Sequence, residues 1–487
     1  MRAACATLSA VTDAVPSLPD ERPVPALTAD ELIRLTGGRL LARSDRPIRG
    51  GAVDSRVVEP GELFVALPGE RTDGHRYLPD AAARGAAAML VTRPPDDVAA
   101  LGDVTVVRVA DALAALHAVA AGWRSRFDPL VVGVTGSIAK TSTKEAIAAV
   151  LGTRLPTLKN EGNQNNEVGL PLTVLRLGPG HRAAVLEMGM YVGGEIADLA
   201  AIGRPMIGVV TAVQPVHLSR IGSLRAIERA KGELLEALPP GGTAILNADD
   251  PIVRRMAART VARSMTYGFA GDADVAAESV ESAGLDGMHF VLRASGVRRT
   301  LAIPGLGRMA VHNGLAAAAV ALAAGLDADA IAEGLARGWS APHRSEVVRL
   351  GRITLVDDSY NASPGSVTAA LDLLRGLPGR RVAVLGEMLE LGESHADGHV
   401  EVGEAAAGVA DLLVVVGEGA AGIAAGARDA GLDAARVLGA RDRDAALDLL
   451  RPRLRDGDVV LVKASRGIAL DLLVDALRDE LGEASAR

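Results

Sequence analysis

The chain has 487 residues, 49% hydrophobic and 23% charged, a balance that excludes disordered and fibrous classes and fits about two to four domains. A net charge of −8 without a basic stripe argues against nucleic acid as the main partner, and a single cysteine, Cys5, excludes a disulfide framework or a cysteine-based zinc site. No apolar run reaches the ~18 residues of a membrane span, and residues 1–16 lack the apolar core of a signal peptide, so a cytoplasmic enzyme without membrane insertion is expected.

Only five of the 52 basic residues are lysine: Lys140, Lys144, Lys159, Lys231 and Lys463. With so few aromatics and so much alanine, this reads as a compositional bias. Where arginine serves as the general cation, however, a lysine that persists is a candidate for a role only an amine can fill.

In chain order, residues 1–25 are Pro- and Ala-rich and are expected to be disordered. Residues 26–127 mix short strands (63–67, 88–92) with helices, the last at 110–127. At 130–135 the run Leu-Val-Val-Gly-Val-Thr has the β-branched, continuously apolar character of a buried parallel strand, and a helix follows at 140–151. Further buried strands at 183–186, 207–211 and 243–246 alternate with helices, which implies a parallel α/β sheet. Residues 265–305 read as a small antiparallel insertion, and helices at 311–324 and 328–337 close the unit. A third α/β pattern carries strands at 353–356, 382–385, 412–416 and 459–462. The expected fold is α/β in three domains: a smaller mixed N-terminal domain (26–127), a central P-loop-type parallel-sheet domain (128–344) and a Rossmann-like C-terminal domain (345–487).

Gly133-Val-Thr135-Gly136-Ser137-Ile138-Ala139-Lys140-Thr141-Ser142 joins a strand to a helix, the setting of a phosphate-binding loop. There the N–H groups of a helix N-terminus point at an anion, Lys140 would reach the β/γ-phosphates, and the Thr141 hydroxyl would ligate Mg²⁺. The general spacing of two glycines before Lys-Ser/Thr is not met, so the loop alone is equally compatible with an ordinary strand–helix turn. Glu187 ends the strand at 183–186, beside the crevice where parallel sheets bind ligands, although a lone strand-end Glu more often faces water. His217, taken alone, reads as a core or loop histidine.

Over residues 54–467 the sequence resembles the Mur ligase family, ATP-dependent amide ligases of peptidoglycan precursor synthesis, and is most similar to the D-alanyl-D-alanine-adding members. The stretches that carry the resemblance are the loop just quoted, Asn160-Glu-Gly-Asn163-Gln-Asn-Asn166-Glu-Val-Gly-Leu-Pro171, Asp357-Asp358-Ser-Tyr360-Asn361-Ala-Ser363-Pro364, Leu385-Gly-Glu-Met-Leu-Glu-Leu-Gly392 and Val462-Lys-Ala-Ser-Arg466-Gly. The Asp-Asn-Pro-Arg signature of the tripeptide-forming branch is absent. The resemblance implies ATP and two Mg²⁺ as cofactors, with Gly133, Thr135, Gly136, Ser137, Ile138, Ala139, Lys140, Thr141 and Ser142 around the phosphates. Thr141, Glu187, His217 and a carbamylated Lys231 would hold metal. It further implies Asn313 as donor and acceptor at adenine, Arg344 at ribose or phosphate, and Asp358 at ribose or a Mg²⁺-bound water. Ser55 and Arg56 would contact the uridine diphosphate group, Asn163 and Asn166 would line the site near the phosphates and the acceptor, and Tyr360, Asn361 and Ser363 the D-Ala-D-Ala site.

The substrates so implied are UDP-MurNAc-tripeptide and D-Ala-D-Ala, joined by a monomeric enzyme through an acyl phosphate, with Lys140, Lys231, His217 and Glu187 as the catalytic set. Ala139, Met309, His343 and Ala464 depart from the family motifs. Two alternatives therefore stay open: a ligase of the same family with another acceptor, and a catalytically impaired partner protein that keeps the fold.

Overall fold

The computed structural model describes residues 25–69, 72–215, 222–294 and 296–485. The expected N-terminal disorder (apart from its last residue, Pro25), Cys5 and His217 lie outside the described residues.

Three sheets organise the chain. In the first, Gly51–Ala52, Leu63–Val65, Ala88–Val91 and Thr105–Arg108 run parallel in that order, and Arg39–Ala42 closes the edge antiparallel to Thr105–Arg108. The helix Ala112–Arg124 then carries the chain onward. Its Leu116, Val119 and Trp123 share one apolar cluster with Leu63 and Leu90 on one side and Leu170, Val174 and Ile196 on the other. Trp123 Nε1 donates to the Leu177 carbonyl at 3.0 Å, and the buried Arg124 donates to the Gly203 and Phe127 carbonyls. The first sheet is thereby fastened to the second.

The second sheet has nine strands. Leu130–Thr135 lies third from one edge, between Ala183–Glu187 (then the edge strand Thr157–Lys159) and Ile207–Val210 (then Thr243–Asn247). The chain leaves Leu130–Thr135 to one side and later returns on the other, so the C-terminal end of this strand is a topological switch point, where open α/β sheets form their ligand crevice.

Residues 265–305 correct the sequence expectation. They are not a separate insertion: Arg263–Gly268 pairs parallel to Thr243–Asn247, Val275–Ser282 begins parallel to it, and only Met288–Ala294 and Val297–Ile303 add antiparallel. The reason is burial. Val275, Ala277, Met288, Phe290, Leu292, Leu301 and Ile303 present one apolar face, which packs in the same core as Val311, Leu315 and Val320 of the helix Gly307–Ala323. That helix, alanine-rich and starting four residues earlier than its pattern suggests, lies against the helix Lys140–Leu151. A third helix, Ala328–Arg337, approaches so closely that a Cβ on Gly334 would sit 2.5 Å from Val150 Cα.

The third sheet, of six strands, places Asp458–Lys463 between Ile353–Asp357 and Arg380–Gly386, all parallel, with Glu346–Leu350 as an antiparallel edge. No helix among the described residues is long and apolar enough to cross a membrane.

Candidate active site

The loop after Leu130–Thr135 is held from below. Thr211 Oγ1 donates to the Ile138 carbonyl at 2.6 Å, Thr135 Oγ1 donates to the Met188 carbonyl at 2.8 Å, and Ser137 Oγ donates to the Gln214 carbonyl at 3.0 Å. Gly136 has φ 151°, and a Cβ there would lie 1.9 Å from Thr211 Oγ1, so only glycine fits. Ala139 occupies the N-cap of Lys140–Leu151 at φ 62°, left-handed, with no side-chain cap. The departure from glycine therefore carries strain of about 1–2 kcal/mol. Replacing Ala139 by glycine relieves that strain but loosens the unfolded chain. The expected net gain is about 1 kcal/mol, read as a higher denaturation midpoint, and a lower midpoint would contradict it.

Lys140 Nζ donates to the Gly136 carbonyl at 2.8 Å, and Lys231 Nζ reaches the same carbonyl, also at 2.8 Å, from the helix Leu224–Glu236 beneath the loop. Both amines are held below the ordinary lysine value, Lys140 chiefly by burial and Lys231 far more strongly, by burial and then by the neighbouring Lys140 charge.

Glu187 is buried at the end of its strand. Its Oε1 accepts from Asn165 Nδ2 at 2.7 Å, while Oε2 is buried without a hydrogen-bond partner. A desolvated carboxylate oxygen with no partner is costly unless a cation faces it. Thr141 and Glu187 line one cleft, and among the described residues no group of three or more His, Cys, Asp or Glu is disposed around a metal. Few protein ligands, hard oxygens and a nearby phosphate loop suit Mg²⁺, which takes much of its coordination from phosphate and water.

The asparagine cluster divides its labour in a way the sequence does not state. Asn165, not singled out, contacts Glu187. Asn163 is exposed at the cleft wall, and Asn166 Oδ1 accepts from Gly169 N–H at 2.9 Å, starting the next helix.

Asn313 lines the cleft, and its Oδ1 accepts from Thr143 Oγ1 at 3.0 Å. Met309 stands partly exposed at the cleft. His312 turns away, to Asn247 Oδ1 at 3.1 Å and Asp249 at 3.4 Å, against the Tyr267 ring.

The opposite wall belongs to the third sheet. His343 (φ 59°) and Ser345 (φ 53°) flank Arg344 in left-handed backbone, and each is pinned: His343 Nδ1 to the buried Asp357 at 2.8 Å, and Ser345 N–H to Asp358 Oδ1 at 3.0 Å. Asp358 Oδ2 pairs with Lys463 Nζ at 2.6 Å, and Lys463 also donates to the Asn361 carbonyl. Each oxygen of Asp358 thus accepts one protein hydrogen bond, and Asp358 still lines the cleft with acceptor capacity left over. Arg344 packs over the Tyr360 ring at 4.1 Å from its centroid, and Ser363 N–H donates to Ser366 Oγ at the start of the helix Pro364–Arg375.

One cleft of about 870 Å³ joins these parts, from Ser137–Ser142 through Asn163, Asn166, Glu187 and Asn313 to Arg344, Asp358, Tyr360, Asn361 and Ser363. Ser55 and Arg56 are not among its lining residues. Asp54 accepts from the Arg56 guanidinium and caps their short turn, and Arg56 is 84% exposed in its side chain. Lys144 and Asn160 are functional candidates that sequence reasoning passes over. The scarcity of lysine is the signal that could have raised the first.

A phosphate loop at the switch point of a parallel sheet, facing a second α/β domain across a cleft, is the arrangement of a nucleotide-dependent enzyme. Three family models match the chain: "Mur ligase family, catalytic domain" at residues 47–124, "Mur ligase middle domain" at 134–321 and "Mur ligase, glutamate ligase domain" at 343–466. The chain belongs to the Mur ligase family. It is 38% identical over 440 residues to the UDP-N-acetylmuramoyl-tripeptide--D-alanyl-D-alanine ligase of Synechocystis sp., covering 90% of this chain and 93% of the relative. Its identity to the Escherichia coli enzyme of the same name is 37% over 464 residues, covering 93% and 99%. Among solved structures, MurF from Acinetobacter baumannii superposes with TM-score 0.84 at 29% identity, covering 94% of this chain and 100% of that one. MurF ligase from Thermotoga maritima in complex with ADP gives 0.79 at 29% identity, covering 90% and 98%.

Proposed function

We propose that the chain is an ATP-dependent, ADP-forming ligase that adds D-alanyl-D-alanine to UDP-MurNAc-tripeptide in peptidoglycan precursor synthesis. The observation that carries this reading is the single cleft in which the phosphate loop and Glu187 face the Asp357–Pro364 segment. Near full-length similarity to UDP-N-acetylmuramoyl-tripeptide--D-alanyl-D-alanine ligases supports it.

The terminal carboxylate of the tripeptide attacks the γ-phosphorus, the bond to ADP breaks, and an acyl phosphate forms. The dipeptide amine then attacks the acyl carbon, phosphate leaves, and one proton is released. Lys140 offsets charge growing on the transferred phosphoryl, and the loop N–H groups orient it. Thr141 and Glu187 would hold Mg²⁺, which when bound neutralises phosphate charge. Arg344 brings a cation from the linker, and Asn313 offers N–H groups to the base. Asn163, Asn166, Tyr360, Asn361 and Ser363 form the acceptor side. Lys231 is assigned as a carbamate that, with His217, serves a second Mg²⁺; its burial and lowered proton affinity favour the neutral amine such a modification needs.

We assign 26–127, with Ser55 and Arg56, to the uridine diphosphate group, 128–344 to ATP and 345–487 to closure, in a monomeric cytoplasmic enzyme. Purified protein with ATP, Mg²⁺, UDP-MurNAc-tripeptide and D-Ala-D-Ala should release phosphate only when both substrates are present. Faster release with another amino acid or dipeptide would reassign the acceptor, and no release would leave a binding protein of the same fold.

A further inference from the structure

Lys144 is 0% exposed, the most deeply buried cation among the described residues, and the reaction as derived does not use it. It sits one turn into the helix that begins with Lys140 and Thr141. Burying an ammonium costs several kcal/mol unless it is paired and hydrogen-bonded. Here both conditions hold: Nζ donates to the Asn160 carbonyl at 2.6 Å and pairs with Glu145 Oε1 at 3.0 Å, and Glu145 Oε2 pairs in turn with Lys159.

Asn160 is itself buried, directly after the edge strand Thr157–Lys159. That strand stops pairing with Ala183–Glu187 at Lys159↔Val185. The Asn160 side chain continues the ladder in place of backbone. Its Oδ1 accepts from Glu187 N–H at 2.9 Å, and its Nδ2 donates to the Glu187 carbonyl at 3.0 Å and the Gln164 carbonyl at 2.7 Å. Asn165, a turn further on, then holds Glu187 Oε1. A continuous chain of short contacts therefore runs from the helix carrying Lys140 and Thr141, through Lys144 and Asn160, to the backbone of Glu187.

We propose that Lys144 is a positioning residue: by gripping Asn160 it sets Glu187 relative to Thr141 and so tunes the affinity of the cleft for a divalent cation. The inference rests on the reading of Thr141 and Glu187 as cation-holding groups. Groups that orient metal ligands in this way typically contribute about 10- to 100-fold in metal affinity.

The test uses the full chain with ADP and Mn²⁺ as probe, bound Mn²⁺ being read by electron paramagnetic resonance. Lys144→Met keeps the aliphatic stem and leaves Glu145 paired with Lys159. It should weaken Mn²⁺ binding about tenfold or more while ADP affinity in chelator stays within twofold, a split that general loosening of the fold would not produce. Asn160→Ser, which retains the carbonyl that Lys144 holds, should weaken Mn²⁺ binding equally and serves if the first variant does not fold. Glu187→Ala separates the two layers. If it weakens Mn²⁺ binding but either Lys144→Met or Asn160→Ser does not, the positioning role of Lys144 is overturned. If Glu187→Ala leaves Mn²⁺ binding unchanged, the cation reading fails and the positioning role with it.

Discussion

Lys231→Arg is expected to abolish substrate-dependent phosphate release, and Lys231→Ala to recover part of it when short carboxylates are added. The argument begins with burial: Lys231 is 3% exposed and its amine shares the Gly136 carbonyl with Lys140. Desolvation and the adjacent cation both favour the neutral amine, the form that adds CO₂, making an N–C bond and releasing a proton. A guanidinium stays charged and cannot follow. The same burial has a thermodynamic sign. The folded amine binds a proton less readily than the unfolded one, whose affinity is that of ordinary lysine. Between the depressed folded value and about 10.5 the unfolded state carries more protons, so the unmodified fold gains stability as pH rises. A Lys231→Met variant escapes the penalty. It should be inactive yet at least as stable as the unmodified wild type at neutral pH, with the difference shrinking toward alkaline pH in urea titrations. Equal phosphate release by wild type and Lys231→Arg would end the carbamate proposal.

Glu187→Gln should lower kcat by about 10²–10³-fold, the scale seen when one preorganised electrostatic group is removed from a reacting centre. The substitution keeps shape, and Asn165 can still donate to the remaining oxygen. What disappears is the charge and the unpartnered Oε2. Because an unpaired buried carboxylate is destabilising, stability should hold or rise. Steady-state kinetics across a Mg²⁺ series, beside a denaturation curve, checks both halves. Loss of stability with kcat intact would make Glu187 a structural residue.

Parallel strands are the most legible part of this chain, because burial on both faces leaves a continuous β-branched signature. The strands Leu130–Thr135 and Leu412–Val416 and the helix Lys140–Leu151 coincide with their sequence patterns to the residue. The run 265–305 is misread because alternation reports one buried face without saying which sheet that face joins. At the site, residue type points to chemistry only while the side chain remains free. Asp358 lines the cleft, but that Lys463 and Ser345 each hold one of its oxygens is stated by no motif. Asn165 and Asn166 are indistinguishable as letters, and only the fold decides that one faces Glu187 while the other starts a helix. The cost of Ala139 likewise depends on a φ angle that no motif states.

Lys140 and Lys463 line the cleft, Lys231 reaches the nucleotide loop from beneath, and Lys144 and Lys159 are joined through Glu145. The described surface is otherwise lysine-free: Lys144, Lys231 and Lys463 are buried, and only Lys140, at the cleft, and Lys159, with a side chain 41% exposed, meet solvent. An amine-acylating reagent applied to the folded protein therefore acts as an active-site footprint. Its pattern of protected side chains reads the state of the cleft, and cleavage by a lysine-specific protease reports global opening of the fold.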